Sequence, residues 1–84
     1  MKTHWLQYRG TRYPISTGRA LLGRSPSCLI VLGARRVSRE HAEVRVHRGR
    51  LEIRDLKSRN GTRVNGRLVL GCFPLGDGDI LELP

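Results

Sequence analysis

The sequence predicts an all-β domain, specifically a β-sandwich, and three observations support this class. Short apolar runs alternate with Gly, Pro, Asn and Asp at short intervals, which is typical of strands joined by tight turns. No segment carries the apolar spacing of a helix. With 84 residues, the chain has room for one small domain, whose hydrophobic core is expected to be modest.

The N-terminal half is predicted to form four short strands. Gly10 can take the positive φ that a tight turn between the first two strands needs, and 16–18 supplies the next turn. Pro26 biases the residue before it away from helix, so 25–27 is expected to be a loop. The last strand of this half is a continuous apolar run, which predicts that both of its faces are covered. The four strands span 5–8, 12–15, 20–22 and 29–32.

The C-terminal half contains the clearest predicted hairpin, in which two alternating segments flank Arg48-Gly49. Asn65-Gly66 is the strongest two-residue turn signal, because both of its positions need positive φ. After the return strand, 71–75 is expected to be irregular, with Phe73 and Leu75 in the core, and 76–79 to be a turn. The last strand is expected to point Leu81 and Leu83 inward. The predicted strands of this half are 42–47, 51–54, 62–64, 67–70 and 80–83.

The charge of the chain favours an anionic partner. Sixteen Lys and Arg residues, fourteen of them Arg, stand against seven Asp and Glu residues and give a net charge of +9. The guanidinium group is a fixed fork that matches phosphate or carboxylate in a bidentate way. Charge alone leaves nucleic acid open as a partner, and it also leaves open that the basic surface only keeps the domain soluble.

The cellular compartment of the protein is predicted from three features of the sequence. No apolar run approaches the length of a membrane span, and residues 1–5 do not begin a signal peptide. If Met1 is the natural start, a cytoplasmic location is expected. Cys28 and Cys72 belong to no C-x-x-C pair, so we expect both to be reduced and mostly buried.

Ser38, His41 and Asp55 supply the residue types of a hydrolase triad, but their arrangement argues against catalysis. Extended chain would carry His41 about 10 Å from Ser38, and no G-x-S-x-G turn is present. We therefore expect no enzyme, and we interpret His41 as a structural residue that hydrogen-bonds backbone and holds a loop.

The candidate metal ligands are also poorly arranged. The three histidines, His4, His41 and His47, are scattered, and the Asp and Glu residues do not cluster with them. Asp77 and Asp79 faintly resemble a calcium loop, but the other ligand positions are absent. The sequence predicts neither a metal site nor a cofactor.

Three polar segments beside strand ends carry the residue types that bind a phosphate dianion. They contain Gly23-Arg24, then Ser38-Arg39, then Asn60-Gly61. An Arg, a hydroxyl and loop amides can together enclose a phosphate, and a rigid strand end can hold each group in place. We expect the fold to bring these loops together, with Arg24, Ser38, Arg39 and Asn60 as the candidate phosphate-binding residues.

The order and spacing of these residues resemble the forkhead-associated (FHA) domain along nearly the whole chain. The resemblance implies a sandwich of two antiparallel sheets, whose loops at one end bind phosphothreonine peptides. It implies that Arg24 and Ser38 hold the phosphate, that Arg39 contributes, and that Asn60 grips the peptide backbone. The matching stretches are Gly23-Arg24-Ser25, Ser38-Arg39-Glu40-His41, Ser58-Arg59-Asn60-Gly61-Thr62 with Asn65-Gly66, and Gly78-Asp79-x-Leu81-x-Leu83.

The same resemblance suggests roles for neighbouring residues. Arg36 and Arg59 are expected to contact or select the peptide. Arg35 and Arg36 together predict a preference for an acidic residue three places after the phosphothreonine. The residues expected to stabilise the binding loops are Gly23, His41, Gly61 and Asn65.

Two departures from the family pattern are visible. The family normally has one more strand after the Gly-Asp strand, so we expect a single domain over 1–84 whose last strand is missing or truncated, with an open edge beside strand 5–8. The residue after Ser38 is Arg39, where some members carry Asn, and this adds charge to the phosphate site.

Two alternatives to a phosphothreonine-binding module remain open. A scaffold version of the same fold would lose Arg24, Ser38 or Asn60, and none of them is lost. A nucleic-acid binder would need stacking aromatics on a basic face, whereas Tyr8, Tyr13 and Phe73 are interpreted as core or strand residues. A phosphothreonine-containing protein is therefore the favoured partner, and nucleic acid or a membrane is not.

Overall fold

The computed structural model describes residues 4–15, 18–76 and 78–84. Every regular element within these residues is a β-strand, which confirms the all-β prediction. The turns predicted at 16–18 and 76–79 include residues 16, 17 and 77, which lie outside the described residues. The strands are β1 His4–Tyr8, β2 Thr11–Ile15, β3 Arg19–Gly23, β4 Ile30–Val31, β5 Ala42–His47, β6 Arg50–Asp55, β7 Arg63–Val64, β8 Arg67–Leu68, β9 Cys72–Leu75 and β10 Leu81–Glu82.

The described strands form one large sheet and two small ones. The large sheet has the order β4-β3-β5-β6-β9, and the small ones are the β1-β2 hairpin and β10-β7-β8. All pairs are antiparallel except β3-β4, which is parallel. The predicted sandwich is confirmed, although one pair departs from purely antiparallel sheets.

A hydrophobic core joins the three sheets. The large sheet contributes Leu22, Val44 and Ile53, which have no exposed surface, and both small sheets add apolar side chains to the same cluster. In the last strand region, Leu81 and Leu83 are buried and Ile80 is exposed, as the two-residue period predicted.

The predicted hairpin turns are present. Asn65 and Gly66 both have positive φ, 53° and 80°, as a two-residue hairpin turn requires. The turn pairs Val64 with Arg67. The β5-β6 hairpin, which turns at Arg48-Gly49, has six residue pairs and places β5 in the middle of the large sheet.

The prediction of a strand over 29–32 covered on both faces is wrong. Only Ile30–Val31 is a strand, and it lies at the edge of the large sheet. Ile30 is buried, but Leu29 and Val31 are 45% and 53% exposed. An edge strand packs one face on the core and leaves the other open, so a continuous apolar run did not imply double burial.

The prediction that 71–75 is irregular is also wrong. Residues Cys72–Leu75 form β9, which pairs with β6 at the other edge of the large sheet. Pro74 is tolerated because an edge strand does not need every N–H for pairing. Phe73 and Leu75 pack against the core as predicted, whereas Cys72 is exposed rather than buried.

The predicted return strand over 67–70 is shorter than expected. It ends at Leu68. Val69 is buried and donates its N–H to the carbonyl of Thr62 (2.8 Å), whereas Leu70 is 83% exposed.

Candidate functional site

Three loops meet at one end of the large sheet: the first loop (24–29) joins β3 to β4, the second loop (32–41) joins β4 to β5, and the third loop (56–62) joins β6 to β7. The backbone N–H groups of Arg24 and Ser25 donate to the carbonyls of Ser38 and Arg39, at 3.1 and 3.0 Å. The first two loops are therefore joined directly by backbone hydrogen bonds.

Gly23 allows this close approach. A Cβ atom at this position would lie 2.2 Å from the carbonyl oxygen of Arg39 and 2.9 Å from that of Ser38. These contacts are with backbone, which cannot swing aside as a flexible side chain can. The absence of a side chain at the end of β3 is thus a steric requirement of the loop pairing.

His41 links the second loop to the third. Its side chain is fully buried. Nδ1 accepts a hydrogen bond from the backbone N–H of Ser38 (3.0 Å), and Nε2 lies 2.7 Å from the carbonyl oxygen of Gly61. These partners assign the proton to Nε2, which donates to Gly61. Both nitrogens of the buried ring are therefore satisfied by backbone groups.

Ser38 is held from several sides and is half-buried. Besides its N–H bond to His41, its hydroxyl oxygen accepts a hydrogen bond from the backbone N–H of Arg59 (3.0 Å). A hydroxyl that accepts in this way still carries its own hydrogen, which it can donate to an incoming oxygen atom. The geometry presents Ser38 as an oriented donor.

Arg24 is exposed, but its side chain is anchored. Nε donates to the carbonyl oxygen of Val37 at 2.6 Å. This bond uses one of the five N–H groups of the guanidinium and orients its plane, while the terminal NH₂ groups can donate to an anion as a pair.

Val37 is a residue whose importance the sequence analysis missed. It is 1% exposed, and its N–H donates to the carbonyl of Ala34 (3.1 Å). Its burial fixes the second loop against the fold and thereby positions the carbonyl that holds Arg24. The available signal was a single β-branched apolar residue inside a polar run.

Asp55 organises the third loop. Its carboxylate accepts hydrogen bonds from the hydroxyl and backbone N–H of Ser58, at 2.5 and 3.0 Å, and from the hydroxyl of Thr62 at 2.7 Å. Burial alone would raise the pKa of Asp55, but the hydrogen bonds from Ser58 and Thr62 outweigh it and hold that pKa below its ordinary value. The spacing of Asp, Ser and Thr was the signal for this network, which sequence reasoning did not use.

Asn60 lies at the exposed tip of the third loop. Its Nδ2 donates to the carbonyl of Arg36 at 2.8 Å, so it too spans the second and third loops. Its Oδ1 atom is an acceptor suited to a peptide N–H. Arg36, Arg39 and Arg59 are exposed on the same loops and add positive charge around Ser38.

Asn65 stabilises a different part of the molecule. Its Oδ1 accepts from the N–H of Ile80 and its Nδ2 donates to Asp79, both at 2.9 Å. The hydrogen bonds from the Gly76 N–H and from Asn65 lower the pKa of Asp79. Asn65 therefore ties the β7-β8 turn to the approach to β10, whereas Gly61 lies within the loop cluster.

Ser38, His41 and Asp55 do not form the hydrogen-bonded chain of a catalytic triad. The two ring nitrogens of His41 bond to backbone groups of Ser38 and Gly61, and Asp55 bonds to Ser58 and Thr62.

Over the described ranges, no three His, Cys, Asp or Glu side chains are grouped to hold a metal ion. The same ranges contain no helix long and apolar enough to cross a membrane.

The fold and the loop cluster define a β-sandwich module with a basic, donor-rich end. The FHA domain family model matches residues 20–84, which include all three loops. The chain therefore belongs to the FHA domain family.

Individual proteins similar to this chain agree with that assignment. The glycogen accumulation regulator GarA of Mycolicibacterium smegmatis is 35% identical over 74 residues, which cover 88% of this chain and 46% of GarA. The structure of Mycobacterium tuberculosis EmbR in complex with a low affinity phosphopeptide gives a TM-score of 0.83 at 31% identity, covering 96% of this chain and 21% of that one. The FhaA FHA domain, solved in complex with the intracellular domain of Rv3910, gives a TM-score of 0.78 at 34% identity, and the match covers 88% of this chain and 80% of that one. The chain spans less than half the length of the curated relatives it matches.

Proposed function

We propose that the chain is a phosphothreonine-binding module that recognises phosphorylated partner proteins in signalling or assembly. The observation that carries this proposal is the position of Ser38. Its carbonyl accepts from Arg24, its N–H donates to His41, and its hydroxyl accepts from Arg59. A serine fixed to both neighbouring loops is pre-organised for a charged ligand. The similarity to EmbR, solved with a phosphopeptide, supports this function.

The proposal assigns a role to each predicted site residue. A phosphothreonine carries a charge of about −1.5 to −2 at pH 7 and three strong acceptor oxygens. Arg24 donates to them as a fork, the Ser38 hydroxyl donates a further hydrogen bond, and Arg39 adds a second cation. Asn60 binds the backbone of the peptide, and Arg36 and Arg59 contact its flanking residues.

Binding rather than catalysis is part of the proposal. His41 already bonds to two backbone groups, so it is poorly placed to act as a base on the Ser38 hydroxyl. We also propose that the domain acts in the cytoplasm, where thiols such as Cys28 and Cys72 stay reduced. A single FHA domain over residues 1–84 is part of the same hypothesis.

A screen with a degenerate phosphothreonine peptide library tests the function. The purified domain is expected to retain a subset of phosphothreonine peptides and none of their unphosphorylated counterparts. A domain carrying Ser38→Ala is the control and is expected to retain far fewer. Equal retention of phosphorylated and unphosphorylated peptides would exclude the proposal.

A parallel salt titration separates this function from nucleic-acid binding. A protein that neutralises several DNA phosphates loses affinity steeply as salt rises. We expect the complex of the domain with the phosphopeptide to persist at physiological salt, and any complex with a DNA duplex to dissociate.

A further inference from the structure

An exposed leucine lies against the third loop. Leu68, in β8, is 48% exposed. A Cβ atom built on Gly61 would lie 2.7 Å from Leu68 Cδ1, so this methyl group covers the backbone of Gly61 directly. A lone exposed leucine needs no explanation, but this one adjoins the residue that follows Asn60.

Leu68 is held in this position by the β7-β8 hairpin. It pairs with Arg63 across the hairpin, and the next residue, Val69, is buried and bonds to the Thr62 carbonyl. Val64 anchors the partner strand at 1% exposure. The side chain is therefore presented from a fixed strand rather than from a free loop.

The leucine is within reach of a peptide bound at Ser38. The hydroxyl oxygen of Ser38 lies 3.0 Å from the backbone nitrogen of Arg59. Gly61 lies two positions after Arg59 in the chain, which is at most about 7 Å of extended chain. An extended peptide advances about 3.3 Å per residue, so a side chain about three or four residues from the phosphothreonine can reach Leu68.

We propose that Leu68 is a specificity-determining contact that favours an aliphatic residue in the phosphothreonine peptide. The proposal rests on the proposed function and adds a selectivity that the arginines cannot supply. The aliphatic side chain and Leu68 shield each other from water, which is favourable in proportion to the apolar area that they cover. The phosphate itself is held elsewhere, so Leu68 affects which peptide binds rather than whether phosphate is recognised.

The test uses phosphothreonine peptides that carry Ile or Asn at each of the four positions on either side of the phosphothreonine. Calorimetry with the parent domain is expected to find one position at which Ile binds about three- to tenfold more tightly than Asn, near the lower limit for an apolar subsite. Leu68→Asn is expected to abolish that difference, and Leu68→Met to retain it. The matched control is Leu70→Asn, because Leu70 lies two residues further on and is 83% exposed; it is expected to change nothing.

Two results would overturn the inference while leaving the proposed function intact. One is a parent domain that binds phosphothreonine peptides with no preference for Ile at any position. The other is a preference that survives in Leu68→Asn. Failure of the parent domain to bind any phosphothreonine peptide would overturn the proposed function and this inference with it. Two further measurements on the Leu68→Asn domain distinguish a loss of selectivity from a loss of folding. They are its affinity for the peptide with Asn at every position and its thermal melt.

Discussion

His41 is a buried residue that links two loops of the cluster. It has no exposed surface and bonds to the backbone of the second and third loops at once. Both nitrogens of its ring are engaged with Ser38 and Gly61, so in the proposed function His41 supports the phosphate-binding loops and does not contact the peptide.

Replacing His41 by Ala is therefore expected to reduce both stability and peptide affinity. The change leaves the Ser38 N–H and the Gly61 carbonyl without their partner, and each unsatisfied buried group costs about 1–3 kcal/mol. A thermal melt and calorimetry measure the two effects on one preparation. A variant that melts like the parent yet binds no peptide would mean that His41 is a ligand contact.

Gly23→Ala is expected to disrupt the pairing of the first two loops. The added methyl group would meet the Arg39 carbonyl oxygen at 2.2 Å, and overpacking of this kind costs about 1–3 kcal/mol. Gly33→Ala is the matched control, since a Cβ there meets nothing within 4 Å. Chemical denaturation of both variants measures the difference. Equal stability of the two would contradict the steric role of Gly23.

The end of strand β6 determines where the third loop lies. It leaves β6 at Asp55 and is held there by Ser58 and Thr62. The carboxylate thus stabilises a loop whose tip carries Asn60.

This network predicts a loss of stability in acid. The folded-state pKa of Asp55 is below its ordinary value, so the unfolded chain binds the proton more tightly. The stabilisation is fully present above the unfolded pKa of about 3.9 and is lost as pH falls through the lower folded value. Urea denaturation between pH 7 and pH 3 should show a smaller loss for Asp55→Asn than for the parent. Parallel curves for the two proteins would contradict this account.

Local patterns predicted the elements that depend on local chemistry. The β5-β6 and β7-β8 hairpins follow from alternation and from turn residues such as Asn65-Gly66. The parallel β3-β4 pair and strand β9 depend on contacts between distant segments. Pro74 lies within β9, and its presence favoured the wrong prediction of an irregular segment there. Edge position, which only the assembled sheet defines, also decided the exposure of Val31 and Cys72.

The candidate site was predictable in its residue types but not in its bonds. Arg24, Ser38 and Asn60 stood out because polar residues followed strand ends. The bond from Arg24 to Val37 and the bond from Asn60 to Arg36 join separate parts of the chain, so no local pattern encodes them. The role of Asp55 was missed although its partners, Ser58 and Thr62, are close in sequence, because their spacing was not used as a signal.

The distribution of charge belongs to the whole molecule. The net charge of +9 attracts anions in general. The exposed arginines of the second and third loops concentrate positive charge at the loop cluster. In the proposed function, charge attracts acidic peptides in general, and the donors fixed at Ser38 select the phosphorylated ones.

Arg35 and Arg36 are expected to favour an acidic residue three places after the phosphothreonine. Exposed charge pairs contribute little, about 0–1 kcal/mol, so a preference of several-fold is the expected size. Calorimetry at physiological salt compares peptides with Asp or Ala at that place, using the parent domain and Arg36→Ala. Preference for Asp in the parent that disappears in the variant supports the assignment. Equal affinity of the parent for both peptides would end it.

The most direct test of phosphate recognition is calorimetry of one peptide in phosphothreonine and unmodified forms, with the parent domain and with Arg24→Ala. We predict that only the phosphorylated peptide binds the parent, and that Arg24→Ala weakens this binding by about 2–5 kcal/mol because it removes a charge-assisted pair. A thermal melt checks that the variant is folded. Equal affinity of the parent for both peptides, or unchanged affinity in a folded Arg24→Ala domain, would contradict the account.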